Sequence, residues 1–372
     1  MNANPRILIL TASYGNGHIQ AAQALYEQFV RQGVEHVKVV DLMKEGHPFI
    51  NMVTTSLVNK STKISRMGLD YYGWSYYWTR EKKSTALFQR SMTALGKKKL
   101  KEIIHQERPD AVVNTFPFGA SPEICSSLGI RNVTVLTDFA LHNTWLHPLV
   151  DKYYVATEEL KHQIMYKGFT RDCIEVSGIP VRHEFTSLST RKSSNKKRIL
   201  IMAADQGASS YVDDLLASLI HIAHCQIVVV CGRNEKLKQK LEAQFNVYTH
   251  LTIYGFVNNL HEWMSASTCI VTKAGGLTLT EAIALQLPIF IYRPYAGQER
   301  ENAKYLASCG VATISDDIEE LSYGIQYLME HPTLREEVRS RMIGLQRKQA
   351  AAHIVSDIIH KSNQPISLSI WG

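Results

Sequence analysis

An α/β protein made of two doubly wound parallel-sheet domains is predicted by three features of the sequence. Apolar, β-branched runs alternate with helical patterns almost throughout, the runs fall into two series, and a polar basic stretch without apolar period separates the series. Length agrees, because 372 residues exceed the roughly 250–300 that one hydrophobic core serves.

The first series reads RILILTA (6–12), HVKVVD (36–41), DAVVNT (110–115), NVTVLT (132–137) and KYYVAT (152–157). Runs this continuously apolar suit strands covered on both faces, as in parallel sheets. PVRHEFTSLSTRKSSNKK (180–197) reads as a linker. The second series reads RILIMA (198–203), QIVVVC (226–231), LTIYGF (251–256), TCIVTK (268–273), PIFIY (288–292) and VATI (311–314). Helical patterns follow at 317–329 and 333–361, the second long enough to leave the C-terminal sheet. The expected domains are therefore 1–182 and 183–346, with a helix in 347–372 crossing back to the first.

An apolar fraction of 45% and a charged fraction of 20% exclude a disordered chain and a multi-span membrane protein. Six cysteines without a C-x-x-C pair read as free thiols of a reducing cytoplasm. The apolar run Ile7 to Ala12 is shorter than a signal-peptide core and far shorter than the roughly 20 residues of a spanning helix. A cytoplasmic protein is expected.

The net charge of +7 is local: Lys60 to Lys101 holds eleven Lys/Arg against Asp70 and Glu81, leaving the rest slightly acidic. Inside it lies LDYYGWSYYW (69–78), where Tyr71, Tyr72, Trp74, Tyr76, Tyr77 and Trp78 precede Arg80, Lys82 and Lys83. Such rings sit at lipid headgroup depth and such cations meet anionic lipid. Stacking on nucleic acid uses the same chemistry, and part of the stretch also suits a core with a solvated charged face. GKKKLKEII (96–104) fits a lysine-coated helix equally well.

The densest motif is TKAGGLTLTEAIALQLPIFIYRPYAGQERENAKYL (272–306). Gly275 and Gly276 form a turn that leaves the amides of the next helix open to a diphosphate, and Thr278 adds a hydroxyl. Glu281 is suited to accept from ribose hydroxyls, but T-x-x-E is also a helix capping box. Gln298, Glu299 and Asn302 carry donors and acceptors suited to sugar hydroxyls, while a solvated helix face explains Arg300, Glu301 and Lys304.

K-A-G-G-x-T-x-x-E-A followed by P-x-x-G-Q-E-x-x-N is similar to the donor region of the glycosyltransferases that include plant monogalactosyldiacylglycerol synthase and the bacterial processive diacylglycerol glucosyltransferases. LTASYGNGHIQAAQAL, NTFPF (114–118), TDFALHNTWLH (137–147), DKYYVAT and GIPVR (178–182) extend the resemblance over nearly the whole chain. It implies a GT-B fold, with two Rossmann-like domains facing a cleft, the lipid acceptor on the first and the nucleotide sugar on the second. It further implies that Phe256 and Val257 hold uracil through their backbone, Lys273 to Thr278 the phosphates, Glu281 the ribose, and Gln298, Glu299 and Asn302 the hexose. Where the family has M-A-G-x-x-G, this chain has MAADQG, with Ala204 and Asp205 ahead of Gly207, and a carboxylate near a diphosphate repels it unless turned away.

No D-x-D motif and no metal-ligand histidine spacing occur, so neither metal nor cofactor is expected. Helix amides and Lys273 then stabilise the departing UDP. His18, in YGNGH, suits the base that takes the acceptor proton, a role the resemblance also implies, with a mere turn-filling role as the alternative. Gly15 and Gly17 leave room for lipid headgroup and sugar, and Asp138 is placed to orient His18 or hold the acceptor. Inversion to a β-glycoside follows from the resemblance. The expected partners are a UDP-sugar, diacylglycerol or glycosyl-diacylglycerol, and an anionic membrane surface at the cytoplasmic face, not nucleic acid. Gln20 stands where a third glycine would mark an NAD site, which disfavours an oxidoreductase.

Overall fold

The computed structural model describes residues 4–13, 16–46, 87–187, 197–204 and 211–362. The chain divides into two units, one holding most of the chain up to His183 together with Arg347 onward, the other holding Glu184–Gln346.

The first unit is built on β1 (Ile7–Thr11), β2 (Val37–Asp41), β3 (Ala111–Asn114), β4 (Arg131–Val135), β5 (Lys152–Val155) and β6 (Ile174–Val176), all parallel in the order β2-β1-β3-β4-β5-β6. Ile9 lies opposite both Val39 and Val113, which fixes the central register. Successive residues of β1 enter different cores. Ile7 and Ile9 join Leu25 and Phe29, whereas Leu8 and Leu10 join Leu100, Ile104 and Ile124. This alternation is what a strand covered on both faces requires. The helices involved are α1 (Asn16–Arg31), α2 (Leu42–Gly46), α3 (Leu87–Glu107), α4 (Ala120–Leu128) and α5 (Glu158–Tyr166), the last capped by Thr157, whose hydroxyl accepts from Leu160 N at 3.2 Å. A short α6 (His183–Thr186) follows.

The second unit repeats the plan with β7 (Lys197–Met202), β8 (Cys225–Val230), β9 (Leu251–Tyr254), β10 (Cys269–Thr272), β11 (Ile289–Tyr292) and β12 (Ala312–Ser315), parallel in the order β12-β11-β10-β7-β8-β9. Its helices are α7 (Val212–Leu219), α8 (Glu235–Phe245), α9 (Leu260–Ser265), α10 (Gly276–Ala284), α11 (Gln298–Ser308), α12 (Ile318–Glu330) and α13 (Pro332–Leu345), and the chain then continues into α14 (Ala350–Ser362). Ile199, Ile201, Ile227, Val229 and Val271 pack with Leu215, Leu216, Leu237 and Ile325 in one core.

Three features depart from the sequence-based reading, the first being that α6 lies within the segment read as a linker. β6, with three residues, is too short to register as a run. The helix expected over 333–361 is two helices, because Gln346 is extended and its side-chain amide donates to Ile283 O at 2.9 Å and Ala284 O at 3.1 Å. Carbonyls left over at the end of α10 are satisfied there. Beyond that break α14 belongs to the first unit, placing Ile354, Val355 and Ile358 in the core shared with Leu25 and Phe29. Gly178, at φ 85°, allows the chain to pass against Arg347, whose side chain a Cβ there would strike.

In each sheet the chain builds outward in one direction and then returns to build in the other. The reversal lies between β1 and β3 in the first sheet and between β7 and β10 in the second. Ligands of such sheets bind beyond the strand carboxyl ends at these points.

Candidate functional site

In the first unit, the carboxyl ends of β1, β3 and β4 bring His18, Phe116 and Thr137 together. His18 lies in the first turn of α1, its Nδ1 2.9 Å from Thr137 Oγ1. The Phe116 ring stands edge-on to the imidazole at 5.2 Å and the Trp145 ring is tilted at 6.0 Å. Thr115 donates its hydroxyl to His18 O at 3.1 Å, which ties the start of α1 to the end of β3. Thr137 and Asp138, directly after β4, are both buried. Burial lowers the His18 pKa below its ordinary 6.5, and the Asp138 carboxylate and the Thr115 backbone oppose that shift without reversing it. The imidazole is therefore neutral at pH 7 and able to take a proton. Asp138 reaches His18 through charge, while the hydroxyl beside Nδ1 belongs to Thr137.

Gly17 shares the first turn of α1, and Gly15 lies outside the described residues. The other histidines of TDFALHNTWLH serve the backbone. His142 Nδ1 accepts from Thr144 N at 3.2 Å, capping the 3-10 turn Asn143–Trp145, and His147 Nδ1 accepts from Leu149 N at 3.2 Å. That turn carries Trp145 to His18. Thr137, Phe116 and Trp145 are the site residues the sequence did not single out, although the segments containing them stood out as blocks.

In the second unit, β10 ends in Lys273 and the turn to α10. Gly275 is the residue before the helix, so Thr278 falls in the first turn and Glu281 one turn further. The capping-box alternative is thereby removed, since the N-cap is Gly275 and Thr278 stands three residues inside the helix. Gly275 has φ −73°, and a Cβ built on it meets nothing within 4 Å. Among the described residues nothing stands where that side chain would, which leaves the approach to the first helix amides clear at this point. Glu281 is 6% exposed. Lys273, half exposed, pairs with Glu299 at 3.3 Å. Gln298 opens α11 directly after Gly297, whose φ of 96° and ψ of −138° only glycine adopts readily.

Asn302 differs from expectation. It is fully buried and its amide donates to Ala274 O at 3.1 Å, so it supports the glycine turn from beneath where the sequence placed it against the hexose. Phe256, after β9, is 62% exposed, with the Arg233 guanidinium 5.7 Å from its ring centre. Val257 follows it, partly buried. Ala204, after β7, faces Gly232, where a Cβ would come within 2.8 Å of the Ala204 methyl. A glycine at 232 makes room for the alanine at 204. Asp205 and Gly207 lie outside the described residues. From β11 through β10, β7 and β8 to β9, the candidate residues follow a row of strand ends about 19 Å long, suited to an elongated ligand.

Tyr71, Tyr72, Trp74, Tyr76, Tyr77, Trp78, Arg80, Lys82 and Lys83 lie outside the described residues. Of the following lysines, Lys97 pairs with Glu123 at 2.7 Å and Lys99 with Glu102 at 3.7 Å, as lysines coating a helix do. No helix among the described residues is long and apolar enough to cross a membrane.

Residues 18–181 match the family model of monogalactosyldiacylglycerol synthase, and residues 198–356 that of the glycosyltransferase family 28 C-terminal domain. A processive diacylglycerol beta-glucosyltransferase of Bacillus cytotoxicus is 38% identical over 98% of this chain and 95% of its own length. The chain belongs to this family. Its Bacillus subtilis member of the same name is 36% identical over 97% of both chains. Among solved structures, MurG of Acinetobacter baumannii matches with a TM-score of 0.64 at 19% identity, covering 96% of this chain and 100% of its own. The S. aureus MnaA–UDP co-structure matches with a TM-score of 0.62 at 13% identity over 99% of this chain and 100% of its own. The fold is GT-B, as the motifs implied.

Proposed function

We propose that this chain is an inverting glycosyltransferase that moves glucose from UDP-glucose to diacylglycerol, and onward to glucosyl-diacylglycerol, at the cytoplasmic face of the membrane. The observation that carries the reading is kinship over 98% of the chain with enzymes named for that transfer. The geometry of each unit supplies the chemistry.

In the second unit, the open amides of α10 and Lys273 take the diphosphate, Glu281 the ribose, the Phe256–Val257 backbone the uracil, and Gln298 with Glu299 the hexose. Lys273 is exposed enough to exchange part of its pairing with Glu299 for phosphate. In the first unit, His18 removes the proton of the acceptor hydroxyl as that oxygen attacks the anomeric carbon. The bond from that carbon to UDP breaks, and the electron pair leaves on the β-phosphate, where fixed amide dipoles and the lysine cation meet the growing charge. Asp138 steadies the imidazolium formed. One displacement inverts the α-linked donor to a β-glycoside. The aromatic basic segment 69–83 is assigned to the anionic lipid surface where the acceptor lies.

Mass spectrometry of lipids formed from UDP-glucose and diacylglycerol tests the reading. Wild type yields mono- and higher glucosyl-diacylglycerols, and His18→Ala loses activity by about a hundredfold or more. A wild-type enzyme that glycosylates only from UDP-galactose, or not at all, overturns the substrate assignment. Binding to anionic vesicles that weakens with salt is expected, and equal pelleting with neutral vesicles at every ionic strength rules out the surface role.

A further inference from the structure

We propose that Thr137 is a positioning residue for the transfer: its hydroxyl accepts the Nδ1–H of His18 and holds the ring as the tautomer whose Nε2 removes the acceptor proton. This rests on the reading of His18 as the base.

Nδ1 and Thr137 Oγ1 are 2.9 Å apart, between residues 119 positions apart in sequence. Thr137 is 3% exposed and its neighbour Asp138 2%, and Leu136 N just ahead of them donates to Tyr154 O at 2.9 Å, which ties the backbone entering Thr137 to the neighbouring strand. The Thr115 bond to His18 O restrains the histidine backbone, and Phe116 and Trp145 restrict the swing of the ring. A neutral imidazole has two tautomers, and the one with its proton on Nε2 cannot act as a base from that nitrogen.

A hydroxyl beside Nδ1 can donate or accept, so proximity alone does not choose between tautomers. The proton cycle does. When Nε2 takes the acceptor proton the ring carries N–H on both nitrogens, and the Nδ1–H then needs an acceptor inside a buried site. A Thr137 oxygen that already accepts needs no rearrangement as charge appears, whereas a hydroxyl that donated to Nδ1 would have to rotate during the transfer. Preorganised partners of the charged state favour the first arrangement. Facing the ring are the Asp138 carboxylate and the Thr115 backbone, both of which favour the protonated form. Thr137 thus supplies direction and Asp138 supplies field.

Thr137→Val keeps the side-chain shape and removes the hydroxyl, and Thr137→Ser restores it. In the UDP-glucose and diacylglycerol assay, Thr137→Val is expected to lower kcat roughly tenfold to a hundredfold. KM for UDP-glucose stays within roughly twofold. The acidic limb of kcat/KM moves to lower pH, because the imidazolium loses an acceptor. Thr137→Ser recovers most of the rate. Independently of turnover, the ¹⁵N spectrum of histidine-labelled wild type shows His18 protonated at Nδ1 and bare at Nε2, and Thr137→Val shows a mixture.

Wild-type kcat and pH profile in Thr137→Val, with His18→Ala inactive, overturn the positioning role while leaving the base in place. A wild-type spectrum with the proton on Nε2 overturns it as well. A fully active His18→Ala overturns the base assignment and this inference with it.

Discussion

At Gly275 neither backbone nor packing against the described residues asks for glycine. Its φ of −73° suits any residue, and a Cβ meets nothing within 4 Å. What a methyl there would enter is the space over the α10 amides. Gly275→Ala is therefore expected to keep or slightly raise the melting temperature, since alanine restricts the unfolded chain. KM for UDP-glucose rises about tenfold or more if that space holds the diphosphate. An unchanged KM removes the phosphates from this turn. His18 gives a second prediction at this scale. Its pKa lies below 6.5, so kcat/KM stays level at neutral pH and falls only as the ring protonates in acid. Asp138 raises that pKa, so Asp138→Asn shifts the fall to lower pH and, by withdrawing charge from the imidazolium, also lowers the plateau. A fall shifted to higher pH contradicts the assigned role of Asp138. The glycines were legible in the sequence because they mark strand-to-helix turns, and His18 because an imidazole is unusual in such a turn. Thr137 and Trp145 were not, since a threonine or tryptophan near a strand end is ordinary until folding sets it beside an imidazole.

Helix α10 is held at both ends by amides from elsewhere in its unit. Asn302, from α11, bonds to Ala274 O ahead of its first turn, and Gln346, past α13, bonds to Ile283 O and Ala284 O at its end. The two supports separate function from stability. Asn302→Asp sets a carboxyl oxygen against a carbonyl in a fully buried place, costing about 1–3 kcal/mol and, by loosening the glycine turn, raising KM for UDP-glucose. Gln346→Leu removes bonds at the end remote from the amides, costing about 1–2 kcal/mol with KM nearly unchanged. Thermal melts and donor titration of both variants check this, and equal KM effects would count against the division. Strands were legible because their apolar runs are long and buried on both faces, with β6 at three residues as the exception. The break between α13 and α14 was hidden because the helical pattern resumes after it, and only the bonds of Gln346 reveal where the chain stops.

The two-sheet plan was legible in the alternation of patterns, but the anchoring of α14 was not, because its groups are scattered across the chain. Tyr154 donates to Asp357 Oδ2 at 2.6 Å across 203 positions of sequence. Lys152 contacts Asp357 at 3.0 Å and Glu175 at 3.2 Å, and Lys361 contacts Asp357 at 3.0 Å. Burial disfavours the Asp357 charge, yet Tyr154, Lys361 and Lys152 outweigh it and hold the carboxyl at about 2. In the unfolded chain an aspartate titrates near 3.9. A depressed native pKa means stability that is fully present above the unfolded value and is lost as pH falls from about 4 toward 2, in all about 2 kcal/mol. The carboxylate is also a main partner of Lys152, itself 8% exposed, so its removal leaves a buried ammonium with less compensation. Asp357→Asn is thus expected to unfold at a lower temperature at pH 7. Its melting temperature should also fall less steeply than that of wild type between about pH 5 and 3, because one proton-linked group is gone. Melting curves across that range decide the matter: parallel pH dependences in the two proteins would mean that Asp357 does not fasten α14 through its charge.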